Sequence, residues 1–312
     1  MSNDRAYIHE FIDIRGAHRA NYMHHMAANW SPMAQEDREQ SCFGIWAVVG
    51  TTGPWPQVCN IWEEPGLAGL ARSLTGENVG QGLQDPKLER WWKEAAEFRR
   101  GGFDRVLLPA PWSPTLEDSL NTGIRAEVCT HEIIKVTPGT AGEALELVRS
   151  HAIEAYEPQG WTLAGTWWTT MRDEDEIVLL WALPEGYAAW AAGEHAQVSD
   201  PAVLSWRAEM RALATDWHRI LLASAPLCPW RTGRRPHRDD LALEDAVGRG
   251  GVLAGEGRRL ARAEARGLGH LVALGDADVV EPVEGPDVAR EAVAARPRLG
   301  PAEARVRVRP GQ

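Results

Sequence analysis

The stretch FGIWAVVGTTGPWPQVCNIWEEPGLAGLARSL, residues 43–74, contains three tryptophans and two apolar runs separated by a turn rich in Gly and Pro. The runs 43–49 and 57–62 are rich in β-branched and aromatic residues, which is typical of strands. The segment GTTGPWP between them indicates a turn, and the Leu/Ala-rich segment after them indicates a helix. The tryptophans fit either a ligand-binding wall or the core of a fold that needs large side chains.

The same pattern recurs later in the chain. FGIWAVVGTTGPWPQVCNIW is similar to AGTWWTTMRDEDEIVLLW, HEFIDIRGAHRANYM to HEIIKVTPGTAGEAL, LERWWKEAAEF to LSWRAEMRALATDW, and DRVLLPAPWSP to HRILLASAPLCP. Four similar blocks in the same order indicate an internal duplication. This alignment matches Arg105 of the first copy with Arg219 of the second.

Each copy predicts the element order strand, helix, strand, strand, helix, strand. The predicted strands are 7–14, 43–49, 57–62 and 105–108 in the first copy and 131–136, 163–170, 177–183 and 218–223 in the second, where the helices are 141–156 and 203–217. This βαββαβ order favours an antiparallel sheet with helices on one face, the ferredoxin-like arrangement. We therefore predict an α+β fold of two tandem ferredoxin-like repeats, residues 1–113 and 124–230. Their sheets would cover each other as a dimeric-type α/β barrel within one chain.

The C-terminal segment 231–312 differs in composition from the rest. It contains no aromatic residue and no lysine, and the 14 arginines that follow Arg231 nearly balance 13 acidic residues. A segment without aromatic residues buries little apolar area, so the entropy lost on ordering is poorly offset. We predict a low-complexity, mostly disordered tail.

Composition and charge restrict the class of protein. The net charge of −11 disfavours nucleic acids and anionic membranes as partners, because both bind basic surfaces. The start MSNDRAYIHEF has no signal-peptide pattern, and no apolar run is long enough to span a membrane. The four cysteines are scattered, without zinc-ligand spacing: Cys42, Cys59, Cys129 and Cys228. We expect a cytoplasmic protein with reduced thiols and no metal site.

The segment GIWAVVGTTGPWPQVCNIWEEPGLAGLA resembles the pattern of the NIPSNAP family: glycine, an aromatic residue, a Gly-centred turn, an apolar strand that ends in Trp, and a Leu/Ala-rich helix. VTPGTAGEALEL resembles that family's strand-to-helix turn. The first copy departs from the pattern, since Arg15-Gly16 replaces Pro-Gly. The resemblance implies the dimeric α/β-barrel superfamily, whose members include cofactor-free monooxygenases, isomerases, cyclases and haem enzymes.

Two pairs of polar residues occupy the same place in the first strand of each copy, His9-Glu10 and His131-Glu132. Side chains alternate along a strand, so one residue of each pair faces the barrel interior. A carboxyl group in apolar surroundings has a raised pKa and can act as a general acid or base. A histidine there can do the same or ligate haem iron. Structural hydrogen bonds are the alternative for both pairs.

The predicted function is that of a small-molecule enzyme, independent of a cofactor, which acts on an apolar or aromatic metabolite. The predicted reaction is an isomerisation, cyclisation, dehydration or cofactor-free oxygenation. The candidate catalytic residues are Glu10, Glu132, His9, His131, Arg105 and Arg219, and the candidate substrate-binding residues are Tyr7, Trp46, Trp62, Trp167 and Trp181. The arginines would either orient an anionic group or pair with Glu10 and Glu132. A haem-dependent enzyme, a non-catalytic binding or scaffold protein, and a homodimer of such chains remain open alternatives.

Overall fold

The computed structural model describes residues 2–240, so most of the predicted disordered tail lies outside the described residues. The described strands are β1 (Ala6–Ile14), β2 (Ser41–Val48), β3 (Gln57–Glu64), β4 (Arg99–Pro109), β5 (Val128–Val136), β6 (Thr162–Thr170), β7 (Glu176–Leu183) and β8 (Ala214–Ser224). They close into one barrel in the order β1-β3-β2-β8-β5-β7-β6-β4. All neighbouring strands are antiparallel.

The barrel consists of two similar half-sheets, β4-β1-β3-β2 and β8-β5-β7-β6. One seam joins β2 to β8 through the pairs from Trp46↔Ser224 to Val48↔Leu222. The other seam joins β4 to β6, where Val106 pairs with Thr170. The predicted fold class, two ferredoxin-like repeats closed into an α/β barrel, is therefore confirmed.

The helices lie along the outside of the two half-sheets. They are α1 (Arg19–His24), α2 (Ser31–Arg38), α3 (Gly66–Glu77), α4 (Pro86–Phe98), α5 (Leu116–Asn121), α6 (Ala141–Leu147), α7 (Ile153–Tyr156), α8 (Tyr187–Ser199), α9 (Pro201–Leu213) and α10 (Pro229–Thr232). A π-helical segment, His25–Trp30, joins α1 to α2. The helix predicted over 203–217 ends at Leu213, because the residues from Ala214 onward pair with β5.

Large aromatic side chains from β2 and β6 fill the barrel interior. Trp46 and its counterpart Trp167 are completely buried. A Cβ at Gly44 or Gly165 would lie 2.0 Å from the indole of Trp46 or Trp167 respectively, so each ring lies over the glycine two residues before it. A tryptophan-walled cavity was expected between the sheets, but these rings occupy that space as core.

The first residues of the predicted tail pack on the barrel domain. Gln35 Nε2 donates to the Pro236 carbonyl, and Arg231 pairs with Glu127 at 3.2 Å. The secondary-structure elements of the two repeats lie within 6–109 and 128–224. The proposed domain bounds 1–113, 124–230 and 231–312 stay predictions. Among residues 2–240, every helix is too short or too polar to cross a bilayer.

Candidate functional site

The two polar residues of each first strand face opposite sides of the barrel wall, as alternation requires. His9 and His131 lie in the interior, where their rings stack nearly parallel and their Nε2 atoms are 2.9 Å apart. Burial first, and the nearby Arg105 guanidinium second, lower the pKa of His131 to about 3. Burial also lowers the pKa of His9, so both imidazoles are neutral. Glu10 and Glu132 lie on the other side, beneath the helices.

Glu10 is anchored to the sheet through one carboxylate oxygen. Trp62 Nε1 donates to Glu10 Oε2 at 2.8 Å, and Asn60 Nδ2 donates to the same oxygen at 2.9 Å. Asn60 Nδ2 also donates to the Tyr22 hydroxyl. Within residues 2–240, both hydrogen bonds to the Glu10 carboxyl go to Oε2, which leaves Oε1 available to a ligand.

Glu132 occupies the equivalent position in the second half but has different partners. Its two oxygens accept from Trp181 Nε1 at 3.0 Å and from Trp217 Nε1 at 2.5 Å. Arg219 Nη2 lies 3.5 Å from Glu132 Oε2, which confirms the ion pair predicted for this half. Glu132 is fully buried, so its carboxyl is satisfied and closed to ligands.

Glu10 and Glu132 have different partners because a different residue faces each of them from the last strand of its half. Glu132 pairs with Arg219 in the β5–β8 register, whereas Glu10 pairs with Asp104 in the β1–β4 register. The expected equivalence of Arg105 and Arg219 is therefore wrong by one position. Arg219 neutralises the Glu132 carboxylate, whereas the Glu10 carboxyl group faces the carboxyl group of Asp104.

The electrostatic consequence is a raised pKa in the first half. Burial is the larger cause of the raised pKa of Glu10, and repulsion from Asp104 is the second. Burial also raises the pKa of Asp104, which the Arg99 guanidinium partly offsets. Two neighbouring carboxyl groups with raised pKa values are a common arrangement for acid–base catalysis.

Glu10 and Asp104 open into a recess of about 440 Å³ between the first half-sheet and its helices. We call it the tryptophan recess, because its walls include four indoles: Trp30, Trp62, Trp91 and Trp92. The other lining residues are Ile8, Met26, Gln40, Leu70, Leu74, Glu77, Arg105, Val106, Thr170, Met171 and Arg172. Glu10 itself is 9% exposed, in contrast to Glu132 at 0%.

Arg105 does not pair with Glu10, contrary to one of the two expectations for it. Its Nε donates to Glu176 Oε1 at 2.7 Å, and Thr169 Oγ1 donates to the same oxygen. In the β1–β4 register Arg105 stands opposite His9, on the interior side of the wall. Its position in the second half is taken by Ile220, which stands opposite His131.

The five candidate substrate-binding residues fall into three groups. Trp62 lines the tryptophan recess. Trp181 holds Glu132, and Tyr7 donates a hydrogen bond to Glu63 in the buried interior. Trp46 and Trp167 are core residues of the barrel.

Asp104 and the helix tryptophans of the recess were not among the candidate site residues. Trp30 and Trp91 lie on helix faces whose apolar spacing indicates core only. Asp104 had one usable signal, since it immediately precedes Arg105 and therefore projects from the opposite face of the strand. The sequence alignment of the last strands is shifted by one residue, so it matched Arg105 instead of Asp104 with Arg219.

Replacement of Glu10 by Gln tests its ionisation state. Because its pKa is raised, the folded protein retains this proton to a higher pH than the unfolded chain. The free energy of unfolding contributed by Glu10 therefore falls as the pH rises from the usual glutamate range through the raised pKa. Glu10→Gln mimics the protonated carboxyl, so we expect it to match wild type at acidic pH. Across that pH window, its free energy of unfolding should exceed that of wild type by about 1.4 kcal/mol more for each pH unit.

Urea unfolding of both proteins at a series of pH values measures this difference. Glu97→Gln on the exposed face of α4 is the matched control and should follow wild type at every pH. A stability difference for Glu10→Gln that stays constant with pH would contradict a raised pKa for Glu10.

Comparison with known proteins gives only remote structural similarities. No protein-family model matches the sequence, and no curated protein matches it. A candidate monooxygenase from Lactobacillus acidophilus NCFM is similar over 71% of this chain and 94% of its own, at 10% identity and a TM-score of 0.48. A NIPSNAP domain protein from Burkholderia xenovorans is similar over 33% of this chain and 98% of its own, at 20% identity and a TM-score of 0.29. A dye-decolorizing protein from V. cholerae covers 72% of this chain and 95% of its own, at 8% identity and a TM-score of 0.40.

The closed strand order decides the fold. This chain has the fold of a dimeric α/β barrel, with both halves in one chain. The similarity to the NIPSNAP domain protein spans about one repeat of this chain. The function of the barrel has to be argued from its own residues.

Proposed function

We propose that the tryptophan recess is the active site of a cofactor-independent enzyme that moves a proton on an apolar, aromatic small molecule. The observation that supports this proposal is the asymmetry between the two glutamates. Glu132 is neutralised by Arg219, whereas Glu10 faces Asp104 and has a free oxygen at the recess. Glu10 is the general base or acid, and burial first, with the Asp104 carboxyl group second, keeps its pKa raised.

The walls of the recess define the class of substrate. Four indoles line the recess together with Glu10, and Trp30 packs against Trp91 with ring centroids 4.7 Å apart. Indoles offer large apolar faces that stack on flat rings. A recess of about 440 Å³ accommodates a small bicyclic ligand. The substrate is therefore a compact aromatic compound with a weakly acidic C–H or O–H group placed at Glu10.

Carbon-bound hydrogen exchange tests this function with a defined probe, 2-tetralone, whose ring carbon next to the carbonyl carries acidic hydrogens. The Glu10 carboxylate takes one of these protons, which leaves the enolate, and in D₂O the carboxyl group returns a deuteron to the same carbon. We expect wild type to accelerate the deuterium uptake that NMR detects. Glu10→Gln should reduce that acceleration about 100-fold or more, as is typical for loss of a general base.

The variant Asp104→Asn tests the role assigned to the second carboxyl. Removal of the neighbouring charge lowers the pKa of Glu10, so the midpoint of the pH–rate profile should move toward acid. Glu97→Gln should leave both rate and profile unchanged. Equal exchange rates for wild type, Glu10→Gln and buffer would overturn the proposal and favour the alternative of a non-catalytic binding or scaffold protein.

Haem is the alternative cofactor, with His9 or His131 as axial ligand. The two residues bond each other through Nε2 in a closely packed interior, so neither presents that nitrogen to a macrocycle. The interior side chains therefore do not fit a haem ligated by this pair, and the proposed mechanism contains no step through one. A Soret band in the visible spectrum of the purified protein would reverse that conclusion.

A further inference from the structure

Three side chains from three different strands meet in the barrel interior, away from the tryptophan recess. His9 comes from β1, Cys59 from β3 and His131 from β5. The two Nε2 atoms are 2.9 Å apart, and Cys59 Sγ is 3.6 Å from His9 Nε2. All three potential ligand atoms lie within 4.8 Å of one another, and all three residues are buried. The proposed proton transfer at Glu10 uses none of them.

The distances are close to those of a metal site. A sulfur and a nitrogen bound to one ion at about 2.3 and 2.0 Å are about 3.5 Å apart, near the separation of Cys59 Sγ and His9 Nε2. All the ligand atoms lie within 4.8 Å of one another, so His131 completes the site by a shift of its side chain. Two imidazoles and one thiolate form a soft ligand set that selects Cu(I) or Zn(II) over hard cations.

The charge and packing of the interior distinguish between these two ions. One thiolate neutralises Cu(I), so the loaded site has no net charge, whereas Zn(II) would leave one uncompensated positive charge in the apolar interior. Structural zinc also requires a fourth ligand. Among residues 2–240, the group of potential ligands has only these three members. Arg105 nearby is already neutralised by Glu176 at 2.7 Å.

One of the three proposed ligands also lines a recess of the protein. His131 lines a recess of about 450 Å³ together with Phe11, Phe103 and Arg105. This recess shares Arg105 with the tryptophan recess. Of the three proposed ligands, His131 is the one that lines it.

We propose that His9, Cys59 and His131 form a Cu(I) site that links the two half-sheets across the barrel interior. Binding forms one Cu–S and two Cu–N bonds, releases the Cys59 thiol proton to solvent and replaces the His9–His131 hydrogen bond, whose Nε2 proton moves to Nδ1 of the same ring. No electron is transferred, because the ion is supplied as Cu(I). β1 and β3 belong to the first half and β5 to the second, so the bound ion stabilises the closed barrel.

Anaerobic titration of the purified full-length protein with the coloured Cu(I)–bicinchoninate complex tests the site. We expect wild type to withdraw one equivalent of Cu(I), with loss of colour, and its thermal unfolding midpoint to rise on loading. Cys59→Ser should weaken binding at least about 100-fold, and His131→Gln should weaken it similarly. Cys129→Ser changes another buried thiol, outside the three-residue group, and should bind like wild type.

X-ray absorption of Cu(I)-loaded wild type keeps the test decisive if the variants do not fold. One sulfur and two nitrogen ligands support the site. Three results would each overturn the proposal. Wild type takes up no copper, the bound copper has no sulfur ligand, or a folded Cys59→Ser protein takes up as much copper as wild type. Binding of Zn(II) with no uptake of Cu(I) would also overturn the assignment of the ion.

Discussion

Gly44→Ala should prevent stable folding of the barrel or cost about 3 kcal/mol or more of unfolding free energy. The new methyl group would lie 2.0 Å from the Trp46 ring, which is completely buried and surrounded by the barrel core. The ring has no free space to move into, because close-packed interiors do not absorb an overlap of this size. Gly165→Ala meets the Trp167 ring at the same distance and should have a similar effect.

Two further variants separate overpacking from a general intolerance of alanine. Gly142→Ala in α6 introduces a methyl group with nothing within 4 Å, so it should be neutral or slightly stabilising. Gly44→Ala placed in a Trp46→Leu background should cost much less than in wild type, because the smaller side chain vacates the space. Chemical denaturation measures all four proteins. Equal costs of Gly44→Ala in both backgrounds would contradict the packing explanation.

Glu132→Ala should cost about 3 kcal/mol of unfolding free energy, even though Glu132 lies outside the proposed active site. Its removal leaves the indole N–H groups of Trp181 and Trp217 without their acceptor beneath the helices. Arg219 retains its bond to Glu194 at 2.9 Å but loses the buried carboxylate. A buried donor without an acceptor is expensive, since it gave up its hydrogen bonds to water on folding.

Matched variants isolate the effect of burial and of charge pairing. Glu174→Ala breaks an exposed ion pair with Lys135 and should cost less than about 1 kcal/mol. Glu10→Ala leaves only the neutral donors of Trp62 and Asn60, so it should cost less than Glu132→Ala. Thermal unfolding of the three variants provides the ranking. A larger cost for Glu10→Ala than for Glu132→Ala would contradict the assignment of the structural and functional glutamates.

Much of the architecture follows from local patterns in the chain. Strand-like runs and turn residues predicted six of the eight strands within three residues at each end, and the duplication predicted how the two halves combine. The last strand of the first copy was predicted as 105–108, but it extends from Arg99 to Pro109. Its glycine-rich first part has little strand character by itself, and it becomes a strand because β1 pairs with it.

The candidate site was only partly predictable. Glu10 and Trp62 were recognised from the alternation of β1 and from the repeated strand that ends in Trp. The pairing of Glu10 with Asp104 depends on the register between β1 and β4, and a shift of one residue in that register reverses which side chain faces the glutamate. Local pattern does not determine such a register to one residue, so Arg105 was aligned with Arg219 instead.

The sequence by itself determined the order of the strands and indicated the duplication. These features are local, because they depend on propensity, alternation and spacing along one segment. Only the tertiary structure decided which glutamate forms an ion pair with an arginine and which histidines meet Cys59. His9, Cys59 and His131 are separated by 50 and 72 positions in the chain, and only barrel closure brings them together. The tryptophans of the opening stretch divide accordingly: Trp46 fills the barrel, and Trp62 lines the recess beside Glu10.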